Sequence, residues 1–302
     1  MSDVVCFGEV LIDFVSTQRD VEVGDAPSFV KLPGGAPANV AVGLAKLGVP
    51  TAFMGQVGED FFGHYLARVL AENGVDVTAL RFSTQAMTPL AFVSVTASGE
   101  RSFVFYRKPS ADMLMTPADL DRAKLETCQI YHYGSISLIN EPLRTTTLEA
   151  LRLARASGAL ISYDPNLRLF LWPSAEAARE GLWLGMEEAE VVKISDEEVF
   201  FLTGETDVDL ALKRLWRPMT RLIVVTRGAA GCVAYTPESR FEAGGFAVPV
   251  EDTVGAGDGF VAGLLAGLLE QGRVFTGDLT PLLRRANAVG ALTVSRQGAI
   301  PA

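Results

Sequence analysis

Strand-like and helix-like stretches alternate along most of the chain, and that rhythm limits the fold more than any other feature. VVCFGEVLIDFV reads as a strand, residues 36–47 as a helix closed by Gly48, TAFMGQVG as a strand, and residues 60–73 as a helix closed by Gly74. After a break the alternation resumes with QIYHYGSISL (strand), 142–157 (helix), ALISYDPN (strand) and 175–187 (helix). VVKIS (strand), 196–202 and 209–216 (helices) and RLIVVTRG (strand) follow. GCVAYT and FEAGGFAV read as antiparallel strands, and residues 258–271 and 280–295 as closing helices. Repeated strand–helix units predict a mostly parallel sheet sandwiched by helices, an α/β fold in one domain over residues 1–302.

The break carries its own expectation. TPLAFVSVT and RSFVFYR alternate like strands and flank a Ser-Gly-Glu turn at Gly99, which predicts a hairpin. Residues 15–32 also lack a helical period. Segments 15–32 and about 88–110 are therefore expected to form a small β-sheet lid. Phe103 and Phe105 beside Arg107 would give that lid an apolar face over a ligand.

Composition removes several function classes. A formal net charge of −10 argues against nucleic acid as the main partner, because phosphate backbones require a basic face. Cys6, Cys128 and Cys232 are far apart and form no CxxC pair, which disfavours zinc ribbons and fits a reducing, cytoplasmic compartment. With only His64 and His132, a histidine-rich metal site is not expected. The N-terminus has no basic region before an apolar run, so no signal peptide is read. The longest apolar stretch, GFVAGLLAGLL, is too short for a bilayer, so no membrane partner is expected. HExxH, GxSxG, GxxxxGK[ST] and a strict GxGxxG are all missing.

Five local patterns have the residue types of a site, and each also has a plainer reading. In DTVGAGDGFVAGLL, the amides of Gly255, Ala256 and Gly257 precede an apolar helix, where a phosphate would be held, with Asp258 at the junction. The plainer reading is an aspartate cap, which leaves the glycines underexplained. In GGAPANVAVGLAKLG, Gly34 and Gly35 permit close backbone approach and Asn39 offers both a donor and an acceptor, which suits a polyhydroxyl ligand or a simple tight turn. Asp13 is read as closing the first strand, where α/β sheets place ligands, and a surface turn competes. Arg168 in SYDPNLR and Arg107 in RSFVFYRKPSAD would hold a phosphate or a sugar oxygen, unless they are surface arginines. Asp196, Glu197 and Glu198 suit a helix dipole, or an acid serving Mg²⁺.

Together these stretches resemble the ribokinase-like (PfkB) carbohydrate kinases. GGAPANVAVGLAKLG and DTVGAGDGFVAGLL look like the two family signatures, in the family's order and more than 200 residues apart. CFGEVLIDF, FYRKPSADMLMT, YHYGSISLINEP, SYDPNLRLFLWPSAEAARE and VVKISDEEVFFLTG resemble blocks of its fructokinase branch, so the likeness covers nearly the whole chain.

The resemblance implies ATP-dependent phosphorylation of fructose at its 6-hydroxyl. Its general base falls on Asp258 and its anion hole on Gly255, Ala256 and Gly257. Its sugar contacts fall on Asp13, Gly34, Gly35 and Asn39, extended to Arg107 and Arg168. Its nucleotide contacts fall on Thr226, Gly228, Gly231 and Asn287. Its monovalent-cation loop, expected to take K⁺, falls on Asp252, Val254, Thr293, Arg296 and Gly298. The family's Asn-x-x-Glu motif near Mg²⁺ is here Ser195 and Glu198, so Glu198 alone is expected to serve the metal, directly or through water. The family's lid sheets often pair, which implies a homodimer. The alternatives are a kinase for 2-keto-3-deoxygluconate or another sugar or nucleoside, and a non-catalytic sugar sensor on the same fold.

Overall fold

The protein is described from a computed structural model covering residues 2–95, 101–296 and 298–300. The turn at Gly99 lies outside the described residues. The chain begins with β1 (Val4–Phe7), β2 (Leu11–Ser16), β3 (Phe29–Gly34), α1 (Ala36–Lys46), β4 (Thr51–Gly58), α2 (Phe61–Glu72) and β5 (Leu80–Ser83). Then come β6 (Leu90–Val95), β7 (Arg101–Tyr106), α3 (Arg122–Leu125), β8 (Ile130–Gly134), α4 (Leu143–Ala156), β9 (Leu160–Asp164) and α5 (Ala175–Glu188). The last third holds β10 (Val191–Ser195), α6 (Asp196–Thr203), α7 (Val208–Leu215), β11 (Leu222–Thr226), β12 (Cys232–Tyr235), β13 (Arg240–Ala243), α8 (Ala256–Glu270) and α9 (Thr280–Thr293).

The large sheet has nine strands in the order β13-β12-β11-β10-β9-β8-β1-β4-β5. It is parallel from β5 to β11 and antiparallel at the β12–β13 edge. All four residues of β1 are fully buried, as a strand covered on both faces requires. Val5 and Phe7 join Tyr131, Tyr133 and residues of α4 and α5 on one side, while Val4 and Cys6 join α1, α2, α8 and α9 on the other. Either side of β1 the strand order runs outward in opposite directions, so the sheet's switch point lies just beyond Phe7.

VVCFGEVLIDFV is two strands, not one. Gly8 takes φ +146 and turns the chain out of the large sheet, so β2 starts a second one. Asp13 therefore does not close the first core strand; it is the third residue of β2. The second sheet has four strands in the order β3-β2-β6-β7. Its register puts Asp13, Val15, Leu32, Val93 and Phe105 on one face and Phe14, Phe92, Val104 and Tyr106 on the other. QIYHYGSISL is strand only to Gly134 and continues as a 3-10 turn, Ser135–Leu138. FEAGGFAV is strand only to Ala243.

Helix α8 is buried almost all round, from Asp258 to Leu268. Gly259, Gly263 and Gly267, one turn apart, let α9 approach: an added Cβ would stand 2.2 Å from Thr293 Oγ1, 3.0 Å from Ala286 Cα and 2.4 Å from Leu282 Cδ1 respectively. Gly259 thus serves helix packing, while the earlier glycines serve the loop.

Candidate active site

A cavity of about 1100 Å³ opens at the switch point, between the second sheet and the start of α8. Separate segments supply its polar wall, among them the β1–β2 loop and β2 (Glu9, Asp13), the start of α1 (Gly35, Asn39), the loop after β9 (Asn166, Arg168), and residues 252–258. The face of the second sheet that carries Asp13, Val15, Leu32, Val93 and Phe105 lines the same space.

Asp258 stands in the first turn of α8, 8% exposed. Its Oδ2 accepts a hydrogen bond from Asn39 Nδ2 at 2.7 Å, which joins the two glycine-rich segments across the fold. Burial pushes its carboxyl up to about 6; Asp164 adds to the rise, while Asn39, Lys193 and Arg168 oppose it. A helix N-terminus by itself favours an ionised aspartate. Here burial wins, and the group is a better base. Among the described residues Asn39 Oδ1 is buried without a partner, an acceptor that a ligand hydroxyl would satisfy.

Gly255 caps α8 in the left-handed region at φ +79, and a Cβ there would lie 2.3 Å from Ala299 Cβ. The amides of Ala256 and Gly257 follow at the helix start, where N–H groups lack intrahelical partners. Next to them is a cation that the sequence reading missed. Lys193, on β10, lines the cavity and is 8% exposed. A Cβ on Gly257 would be 3.0 Å from its Nζ. The ammonium bonds both Asp164 oxygens, at 3.2 and 3.1 Å. Burial works against its charge, but Asp164, Glu198 and Asp258 outweigh that and hold its pKa above the ordinary lysine value. The signal was a lysine within the apolar strand VVKIS.

Other expected residues fall less evenly. Asp13, Gly35, Asn39 and Arg168 line the cavity, and Gly34 packs against Asp13, since a Cβ there would sit 2.1 Å from Asp13 Oδ2. Arg107 does not line it. Its Nε and Nη2 bind Asp112 Oδ2 at 2.7 and 2.6 Å, and the residue is 6% exposed, so the expected direct ligand contact is replaced by a buried ion pair. Glu198 forms a capping box: its oxygens accept the Leu167 and Ser195 amides at 2.7 and 2.9 Å. A direct metal bond is correspondingly less accessible to it.

Thr226, Gly228 and Gly231 gather at the end of β11, and Asn287 on α9 donates to Ala243 O and Gly244 O at 3.1 Å each. None of the four lines the cavity. Asp252 accepts the Val254 amide at 3.0 Å and the Gly298 amide at 3.1 Å, and its own amide reaches Val294 O, next to Thr293. The loop expected to hold a monovalent cation thus folds onto the end of α9, with Arg296 nearby in sequence and exposed. Among the described residues no group of three or more His, Cys, Asp or Glu side chains is placed to hold a metal, and no helix is long and apolar enough to cross a membrane.

The profile of the pfkB family carbohydrate kinases matches residues 1–302. The chain is 51% identical to the probable fructokinase-7 of Arabidopsis thaliana, over 99% of this chain and 89% of that protein. Its fold superposes on the fructokinase of Xylella fastidiosa with bound ATP at a TM-score of 0.91 and 37% identity, covering 100% of this chain and 95% of the other. A Vibrio cholerae fructokinase with fructose, ADP and potassium ion superposes at 0.85 and 35% identity, covering 99% and 94%.

Proposed function

The chain belongs to the pfkB family of carbohydrate kinases, and on that premise we propose that it is a fructokinase, moving the γ-phosphoryl group of ATP to the 6-hydroxyl of D-fructose. The observation that carries the assignment of roles is the Asn39–Asp258 bond at the floor of the cavity, with the α8 amides and Lys193 beside it. Asp13, Asn39 and the Gly34–Gly35 backbone hold the sugar hydroxyls. Asp258 takes the proton of the 6-hydroxyl as its oxygen bonds to the γ-phosphorus, and the bond to the leaving ADP breaks. Charge on the transferring group falls on the Gly255–Gly257 amides and Lys193, where preorganised donors matter most.

The nucleotide base and ribose would lie against Thr226, Gly228, Gly231 and Asn287. Mg²⁺ would neutralise charge on the nucleotide phosphates. Glu198, whose oxygens already accept two backbone amides, would act on that ion through water. The Asp252, Val254, Thr293, Arg296 and Gly298 loop would take K⁺ through backbone oxygens and steady the adjoining amides. The second sheet would act as the lid, since its inner face lines the cavity. Its outer face exposes Val104 (42%) and Tyr106 (64%), which supports pairing of two copies through that sheet.

The reading is tested by coupled ATP consumption with Mg²⁺ and K⁺ against fructose, glucose, mannose, ribose, adenosine and 2-keto-3-deoxygluconate. Turnover confined to fructose is expected. Turnover on another member overturns the sugar, and binding without turnover on any of them favours the sensor.

Two further outcomes follow. Asp258 must be deprotonated to accept a proton, so kcat/KM is expected to hold above pH 6 and to fall as pH drops through about 6, which a pH–rate profile reads directly. Gly34→Ala would put a methyl 2.1 Å from Asp13 Oδ2. Displacing that carboxylate should raise KM for fructose roughly 10- to 100-fold, the worth of a hydrogen bond to a charged group, and leave KM for ATP alone.

A further inference from the structure

Glu9 belongs to none of the roles above, yet it lines the cavity and is only 3% exposed. It sits in the three-residue passage between β1 and β2, where the chain leaves one sheet for the other. Its Oε1 accepts the amide of Ala36, the first residue of α1, at 3.2 Å. The backbone is equally close: a Cβ on Gly35 would meet Glu9 O at 2.5 Å, and a Cβ on Gly8 would meet Pro37 Cγ at 2.7 Å. The Gly8–Glu9 passage and the Gly35–Pro37 turn are therefore stacked without a gap. Gly35 itself is at φ +107, a conformation the turn must be held in.

The buried Arg107–Asp112 pair acts on the Glu9 carboxyl with both of its charges. Arg107 ends the stretch that begins with β7, and its guanidinium bonds Asp112, which Ser110 Oγ also bonds. Burial pushes the Glu9 carboxyl up to about 7, opposed by its own amide, by Arg107 and by the Ala36 amide, while Asp112 adds to the rise. Arg107 thus faces two acids. One end of the second sheet, the β1–β2 passage and the start of α1 meet in one buried polar cluster behind the sugar turn.

We propose that Glu9 is a positioning residue for the sugar: by reaching the Ala36 amide it fixes the Gly34–Gly35–Ala36 turn in the conformation that presents its backbone, and Asn39 one helical turn on, to the substrate. This rests on the sugar-kinase reading. Glu9 touches no reacting atom. Its contribution is to the geometry of the free turn, so it acts on sugar affinity and not on phosphoryl transfer or nucleotide affinity.

Two substitutions separate reach from charge. Glu9→Asp keeps a carboxyl group near Arg107 but withdraws it by one methylene from Ala36. Glu9→Gln keeps the reach and an acceptor oxygen but removes the charge. We expect Glu9→Asp to raise KM for fructose about 10-fold, the upper end for losing one hydrogen bond, with kcat and KM for ATP nearly unmoved. Glu9→Gln should recover most of that affinity. Calorimetric titration of fructose into each variant without nucleotide should follow the same order. Glu9→Asp with unaltered fructose affinity, a loss shared equally by both variants, or a loss seen in kcat or in KM for ATP would each overturn the proposal. If the parent enzyme turns over a different sugar, the fructose assignment fails by itself, and Glu9 is judged by the same comparison with that sugar.

Discussion

Asp258→Asn is expected to bind fructose normally and to turn it over roughly 10² to 10⁴ times more slowly, the usual loss for a general base. Asparagine is nearly the same shape, and its side-chain oxygen can still accept from Asn39 Nδ2, the 2.7 Å bond seen at this position. What it cannot do is accept the hydroxyl proton. The loss should therefore appear in kcat, with fructose affinity by calorimetry unchanged. Alanine is the less clean substitution, because it also leaves the buried Asn39 amide without an acceptor. A variant keeping most of its kcat would remove Asp258 from the role of base.

Lys193→Met should do two separable things. It removes the cation beside Gly257, and losing a preorganised donor to developing charge costs roughly 10²- to 10³-fold in kcat. It also strands Asp164, which is 3% exposed and bonded to the ammonium through both oxygens. Breaking a buried pair by removing one partner costs about 3–5 kcal/mol, so denaturant unfolding should show a large loss of stability. Replacing Asp164 by Asn in the same chain should restore most of that stability and none of the activity. Because Lys193 helps to keep Asp258 ionised, the acid limb of the pH–rate profile should move to higher pH in the lysine variant. Full activity in Lys193→Met would show that the lysine only neutralises Asp164.

Much of this was legible in the sequence because the physics involved is local. Alternation of strand and helix periods and the glycines that close α1 and α2 identify the layers before any tertiary contact is known. The two glycine-rich stretches announce the halves of the site, and the site joins them through Asn39 and Asp258. The failures have a common cause. VVCFGEVLIDFV keeps its apolar character on both sides of Gly8, so periodicity alone cannot reveal that the strand changes sheet there. Arg107 looked like a ligand contact because nothing local indicates that Asp112 will neutralise it within a few residues. Nothing local to Glu198 indicates that the Leu167 amide, 31 residues away, will occupy one of its oxygens. Lys193 was overlooked for the opposite reason: a charged residue inside a buried strand is informative only once its partners are in place.

The bond between Asn39 and Asp258 spans 219 residues of sequence. Lys46, at the end of α1, similarly donates to Ile300 O at 2.8 Å. During synthesis the N-terminal sugar turn emerges long before the base and the anion-binding amides, and α1 has no α8 to pack against until nearly the whole chain is made. A chain that ends before α8 has Asn39 without the Asp258 that it bonds in the finished fold. It also leaves exposed the apolar residues that α8 and α9 cover in the finished fold, surface of the kind that makes incomplete chains prone to aggregate. Closure of the cavity and of the core on that side is thereby tied to completion of the polypeptide.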